Sequence, residues 1–270
     1  MEKRKPEYIF STLTGIVMLI FLAGSLTDRS LFDLHIRLFG TPVGIGLTSM
    51  QLLIPLAALI VVFGMDDALR RNLPVSAEQV RLHLFLPFAV TLAIGFTLQD
   101  LDGGVTGMGL MFLTAVLLYL VLYFEYTACD PASARRPVSI IVLDGLCYAV
   151  FLLFVIALRA NGSPLYLSLP SVFILCFIIS LKTYSFHIIN SVITFPAAVT
   201  AAVMVFAETG LHFWPVNIVS YASLMFVWYY AFINLVIGKD HGESVWHSVR
   251  RLLPAVIFAV VVLIVSIVRL

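Results

Sequence analysis

The sequence predicts an all-α, polytopic transmembrane bundle of about nine spans, and three observations predict it. Of the 270 residues, 61% are hydrophobic and 11% are charged, against about 25% charged in an average soluble domain. So few charges cannot coat a water-facing surface. The apolar residues also gather in runs near the ~20 needed to cross a ~30 Å hydrocarbon core. Finally, Lys and Arg are rich in every second connection between runs, as expected when loops alternate between the two sides of a membrane.

The runs cover residues 8–26, 42–64, 83–99, 107–127, 138–158, 165–181, 188–207, 216–237 and 253–268. The third, sixth and ninth are the shortest and are expected to stand upright, to thin the bilayer locally or to be partly re-entrant. The first run follows Lys3, Arg4 and Lys5 and ends in Ala23-Gly24-Ser25, the layout of a signal peptide. It is longer than a typical signal core and is read as a span. Turn formers separate the runs, among them Asp102-Gly103-Gly104, Asp130-Pro131 and Asn161-Gly162. The connection 66–81 mixes Ala68, Leu69, Leu73 and Val80 with Arg70, Arg71 and Arg81, which suits either a short interfacial helix or a solvated loop. No connection is long enough to hold a soluble domain, so the whole chain 1–270 is read as one integral membrane domain. No internal repeat is visible, and the inverted-repeat signature of many transporters is absent.

Orientation follows from the basic residues. The N-terminus and the connections after spans 2, 4, 6 and 8 hold Lys3, Arg4, Lys5, Arg70, Arg71, Arg81, Arg135, Arg136, Lys182, Lys239, Arg250 and Arg251, whereas the opposite set holds Arg29, Arg37, Arg159 and Arg269. Positive charge is retained on the cytoplasmic side. The N-terminus is therefore placed inside and the C-terminus outside, in a plasma (inner) membrane of prokaryotic type. Trp214 with His212 and Phe213 fits an aromatic belt at the outer interface.

Polar residues inside spans carry the functional argument, because hydrocarbon makes them costly. Asp144 lies six residues into the fifth run, roughly 9 Å along a helix axis at ~1.5 Å per residue. An Asp at mid-helix costs about 2.5–3.5 kcal/mol on insertion scales. It reads either as a proton or cation relay facing the bundle interior, or as a hydrogen-bonded residue that fixes helix packing. The inner ends of spans 4 to 8 also collect Glu125, Lys182, His187, Asn190 and Asn234. Together with Asp144 these six form the expected substrate site; plain interfacial placement is the competing reading. On the outer side Asp100, Asp102, Glu208 and His212 are oxygen and nitrogen donors that a divalent cation could use, but their spacing names no metal site, and solvated loops explain them as well. Tyr221, Met225, Trp228 and Phe232 follow helical spacing along span 8. They wall a pocket for an apolar ligand or form an ordinary aromatic packing stripe. Pro55 and Pro196 are expected to kink spans 2 and 7.

Several classes are discounted by missing residues. There is no H-E-x-x-H helix, Walker-type loop or G-x-S-x-G elbow, and no C-x-x-C spacing among Cys129, Cys147 and Cys176. No cofactor and no metal are expected. No basic stripe interleaved with aromatics suggests nucleic acid. The expected partners are the lipid bilayer, a small-molecule or lipid substrate, and further subunits, since Ala197-Ala198 and Ala201-Ala202 offer a small-residue face for helix association. Three functions remain: a small transporter or permeation protein with a polar site near Asp144, an assembly subunit of a membrane complex, and a membrane-embedded enzyme on lipid or isoprenoid substrates.

Overall fold

The computed structural model describes residues 6–27, 30–38, 41–74, 77–99, 105–160, 162, 164–188 and 193–242, with separate positions between 250 and 261. Eight helices are found among them: α1 Pro6–Leu26, α2 Ser49–Asn72, α3 Ala77–Gln99, α4 Val105–Cys129, α5 Arg136–Ala160, α6 Leu165–His187, α7 Thr194–His212 and α8 Ile218–Asp240. All eight are long and apolar enough to cross a membrane. The outward faces are apolar rather than charged. Phe63 is 68% exposed, Phe112 73% and Phe206 77%, a surface tolerable in lipid and costly in water. The protein is an integral membrane protein.

An antiparallel hairpin, β1 Ser30–Leu38 and β2 Thr41–Thr48, joins α1 to α2, with Leu38 opposite Thr41 at its turn. The sequence reading began a span at residue 42, inside this segment. Apolar composition misled there, because Pro42, Gly44 and Gly46 are poor helix formers. The helix starts where a capping box closes it: Gln51 N donates to Thr48 Oγ1 at 3.3 Å and Thr48 N donates to Gln51 Oε1 at 3.2 Å.

The other departures have similar causes. Charged residues marked span ends too early, so α2 continues to Asn72 and α6 to His187. Arg70 and Arg71 thus lie in the last turn of α2, paired with Asp66 and Asp67 one turn back at 2.7 and 2.6 Å, and the 66–81 connection shrinks to a few residues. The third and sixth spans are full-length helices of 23 residues each. Pro55 sits inside α2, but Pro196 is in the first turn of α7, where its missing N–H breaks no helix bond. The expected ninth span, 253–268, falls almost wholly outside the described residues, as does Asn190.

The chain forms two compact units, Met1–Leu143 and Asp144–Leu270. In the first, α1 to α4 pack in a ring, each beside its neighbour in sequence and α4 against α1. Buried residues on α2 recur at helical spacing, Ile54, Ala57, Ala58, Val61, Met65 and Ala68, and Phe10 meets Tyr126 edge to face at 5.5 Å. Glycines let these helices approach, the usual device where hydrophobic driving force between helices is weak. In the second unit α7 packs against α6 and α8, and the second half of α5 joins them through Tyr148 and Phe151, whose rings meet Tyr229.

A side chain at Gly95 would place its Cβ 2.7 and 2.9 Å from the two γ carbons of Ile54, a stiff β-branched neighbour. Gly24 faces chiefly the Met50 sulfur, the mobile part of a flexible chain, at 2.5 Å. Gly95→Val is therefore expected to cost about 1–3 kcal/mol of stability, read as a lowered unfolding temperature in detergent, with Gly24→Ala milder. Equal unfolding temperatures for Gly95→Val and the wild type would contradict this packing.

Candidate functional site

In hydrocarbon a polar side chain must find its partner in the protein. Three carboxyls within the helices do so with a histidine. In the first unit, Glu125 on α4 is fully buried and its Oε2 lies 2.5 Å from Nδ1 of His83 on α3. In the second, Asp144 Oδ2 lies 2.6 Å from His187 Nε2. Glu208, 1% exposed, has His212 one turn further along α7, with Nδ1 3.7 Å from Oε1.

Asp144 sits in the third turn of α5, and His187 is the last residue of α6. α8 closes the same end of the unit, where His241 Nε2 donates to the His187 carbonyl at 3.2 Å. The other carboxylate oxygen of Asp144 is buried and, among the described residues, has no hydrogen-bond partner. Lys182 lies about one and a half turns before His187 and is 1% exposed, with its ammonium 4.7 Å from the centre of the Phe186 ring. It belongs to the helix interior and not to a span edge. Asn234 donates to the Tyr230 carbonyl of its own helix at 2.8 Å. Of the six expected site residues, the structure thus brings Asp144 and His187 into direct contact. Glu125 is engaged by His83 in the other unit, and Asn190 lies outside the described residues.

The second unit carries a further polar group at its opposite end. The turn after α5 closes with Gly162 in the left-handed region at φ +59, where glycine carries no Cβ penalty, and its N–H donates to the Arg159 carbonyl at 3.2 Å. This places Arg159 beside the start of α6. Its two terminal nitrogens donate to the carbonyls of His212 and Trp214 at 3.1 and 3.2 Å, and the guanidinium lies 5.0 Å above the Tyr221 ring. Glu208 accepts from Ser168 Oγ at 3.0 Å and from the Tyr221 hydroxyl. These residues, with Leu158, Gly162, Pro164 and His212, line a cavity of about 230 Å³.

The expected aromatic wall of span 8 divides. Tyr221 and Met225 are buried, Phe232 is half-buried and Trp228 is 55% exposed. The buried face runs through Tyr221, Met225, Tyr229 and Ile233 instead. Of the outer cation candidates, Glu208 and His212 border the cavity, while Asp100 and Asp102 lie outside the described residues.

A family model covers residues 30–268 of this chain. The chain belongs to the family DUF5656, described as a protein of unknown function. The match takes in α2 to α8 and the hairpin, and so both ends of the second unit. No curated protein matches, and no solved structure matches.

Sequence reading missed His83, Ser168 and Arg159 as site residues. The Glu208 and His212 pair had a legible signal, i and i+4 on one helix; His83 and Glu125 are 42 residues apart, and nothing in one sequence joins them. Their pairing is measurable. His83→Ala and Glu125→Gln are each expected to destabilise by about 1–3 kcal/mol, because each removes or weakens a charge-assisted contact between buried side chains. In the double variant the losses should be clearly less than additive. Additive losses in an unfolding titration would separate the two side chains.

Proposed function

We propose that this DUF5656 member is a small transporter or permeation protein that moves protons, with the Asp144 and His187 pair as its inner station. The observation that carries the reading is that pair: a carboxyl and an imidazole in hydrogen-bond contact at the end of a membrane helix, one carboxylate oxygen still without a partner among the described residues. Ionisable groups at membrane depth are costly and mark ion and proton pathways, and a histidine can both accept and release a proton near neutral pH.

The interior of the second unit supports it. Buried hydroxyls pair between the helices, Tyr184 with Thr200 at 2.7 Å and Ser180 with Tyr229 at 3.3 Å, and Cys176 continues the same face of α6 toward Ser168 and Glu208. From Ser168 to His187 the α6 axis rises roughly 28 Å, close to the ~30 Å hydrocarbon thickness. The charge bias of the loops favours Asp144 toward the cytoplasm and Glu208 toward the outside. Of the small-residue face on α7, Ala197 and Ala201 are fully buried, and Ala198 and Ala202 are half-buried.

The test uses the purified full chain in liposomes loaded with a pH-sensitive dye, with proton entry driven by a potassium gradient and valinomycin. Internal acidification faster than in protein-free vesicles is expected, with Asp144→Asn slower by about a hundredfold or more, as for loss of one acid–base group, and Tyr229→Phe intermediate. Wild-type vesicles that acidify no faster than empty ones, or an Asp144→Asn variant as fast as wild type, would end the proposal.

A further inference from the structure

We infer that the cavity between the α5–α6 turn, α7 and α8 is a binding site for a compact zwitterion, a molecule carrying an anionic group and a primary ammonium a few atoms apart. This is independent of proton movement: it concerns recognition at the opposite end of the unit from Asp144.

The cavity brings a guanidinium and a carboxyl to one space, with no ion pair closer than 4 Å between Arg159 and Glu208 among the described residues. Arg159 turns its terminal nitrogens to the main-chain carbonyls of His212 and Trp214, which fixes the guanidinium at the cavity wall. A guanidinium has five N–H donors, so donors remain for an incoming anion. Glu208 lies against the same space, held by Ser168 and the Tyr221 hydroxyl. A carboxylate has about four acceptor positions, which leaves acceptor capacity for an ammonium.

The start of α6 adds to the anion side. Pro164 is its N-cap and supplies no side-chain hydrogen bond, so among the described residues no side chain caps the first N–H groups of this 23-residue helix, while Pro164 itself lines the cavity. Such a terminus favours negative charge. Arg159 and this terminus form one pole of the cavity, and the Glu208 carboxylate forms the other. An anion alone would meet Glu208, and a cation alone would meet Arg159; a molecule with both charges satisfies both poles.

Size limits the ligand further. At about 230 Å³ the cavity is smaller than the ~300–1,000 Å³ of drug-sized pockets, and it suits a molecule of amino-acid dimensions. The same chemistry occurs in two sources, a free amino acid and the phosphoethanolamine headgroup of a lipid. Exposed Phe213 and Trp214 beside the cavity suit headgroup level, within reach of either.

The experiment is a binding titration by thermal shift on the purified full chain in detergent, with four probes at equal concentration: L-alanine, glycerophosphoethanolamine, acetate and ethylamine. One or both zwitterions should raise the unfolding temperature, while acetate and ethylamine do so no more than salt. Alanine alone identifies a free amino acid, and glycerophosphoethanolamine alone identifies a headgroup. Glu208→Gln, which keeps size and one acceptor oxygen while its amide N–H can donate to the second hydroxyl, should weaken zwitterion binding about tenfold or more, as should Arg159→Gln, since each removes a charge-assisted hydrogen bond. Asp144→Asn should bind normally, which separates this site from the proton-transport reading. The inference is overturned if neither zwitterion shifts the wild type, or if acetate or ethylamine shifts it as much as they do. The wild-type comparison holds even where a variant fails to fold.

Discussion

Hydrocarbon offers no water to hydrogen-bond, so every polar side chain that enters it must bring or meet a partner. The described helices obey this constraint with one recurring solution, a carboxyl set beside an imidazole: Glu125 with His83, Asp144 with His187, and Glu208 with His212. Many hydroxyls follow the same rule, while those of Thr14 and Thr183 are buried with no hydrogen-bond partner among the described residues. Thr91 and Thr200 donate to the carbonyls of Pro87 and Pro196, one turn earlier, and Thr127 donates to that of Tyr123. What remains is apolar on both the inside and the outside of the units, so position in the bundle is set by small residues and shape more than by a contrast between oily interior and polar surface.

The two units use the constraint differently. In the first, Glu125 and His83 are buried in a ring of tightly packed helices with glycines at the contacts, an arrangement suited to rigidity. In the second, the polar groups are distributed along the axis, with ionisable pairs at both ends and paired hydroxyls between. The end with Arg159 and Glu208 encloses a cavity, whereas the Asp144 end is held by three helices meeting at His187 and His241.

Much of the fold was legible in one sequence because span length and hydropathy are local properties. Eight of the nine expected segments coincide with helices, and the errors have local causes. Lys182 and His187 looked like a loop, yet both lie within α6, since a buried partner offsets a charge that hydropathy counts as a break. Residues 42–48 looked like a span because apolar composition alone does not distinguish a glycine-containing strand from a helix start. The site was far less legible. Asp144 stood out because its cost can be read from depth alone, but its partner is 43 residues away, and Arg159 resembled an ordinary loop charge. Helix adjacency, which decides all of these pairings, leaves no trace in an unaligned sequence.

The pairing of carboxyls with imidazoles is most directly measured by nitrogen NMR of the histidine-labelled protein, whose six histidines give a countable set of ring signals. Each carboxyl-to-amide substitution should shift one imidazole and spare the rest: Asp144→Asn the signal lost in His187→Gln, and Glu125→Gln the signal lost in His83→Gln. An Asp144→Asn spectrum in which the His187 ring signals stay unmoved would contradict the pairing on which the account of this protein depends.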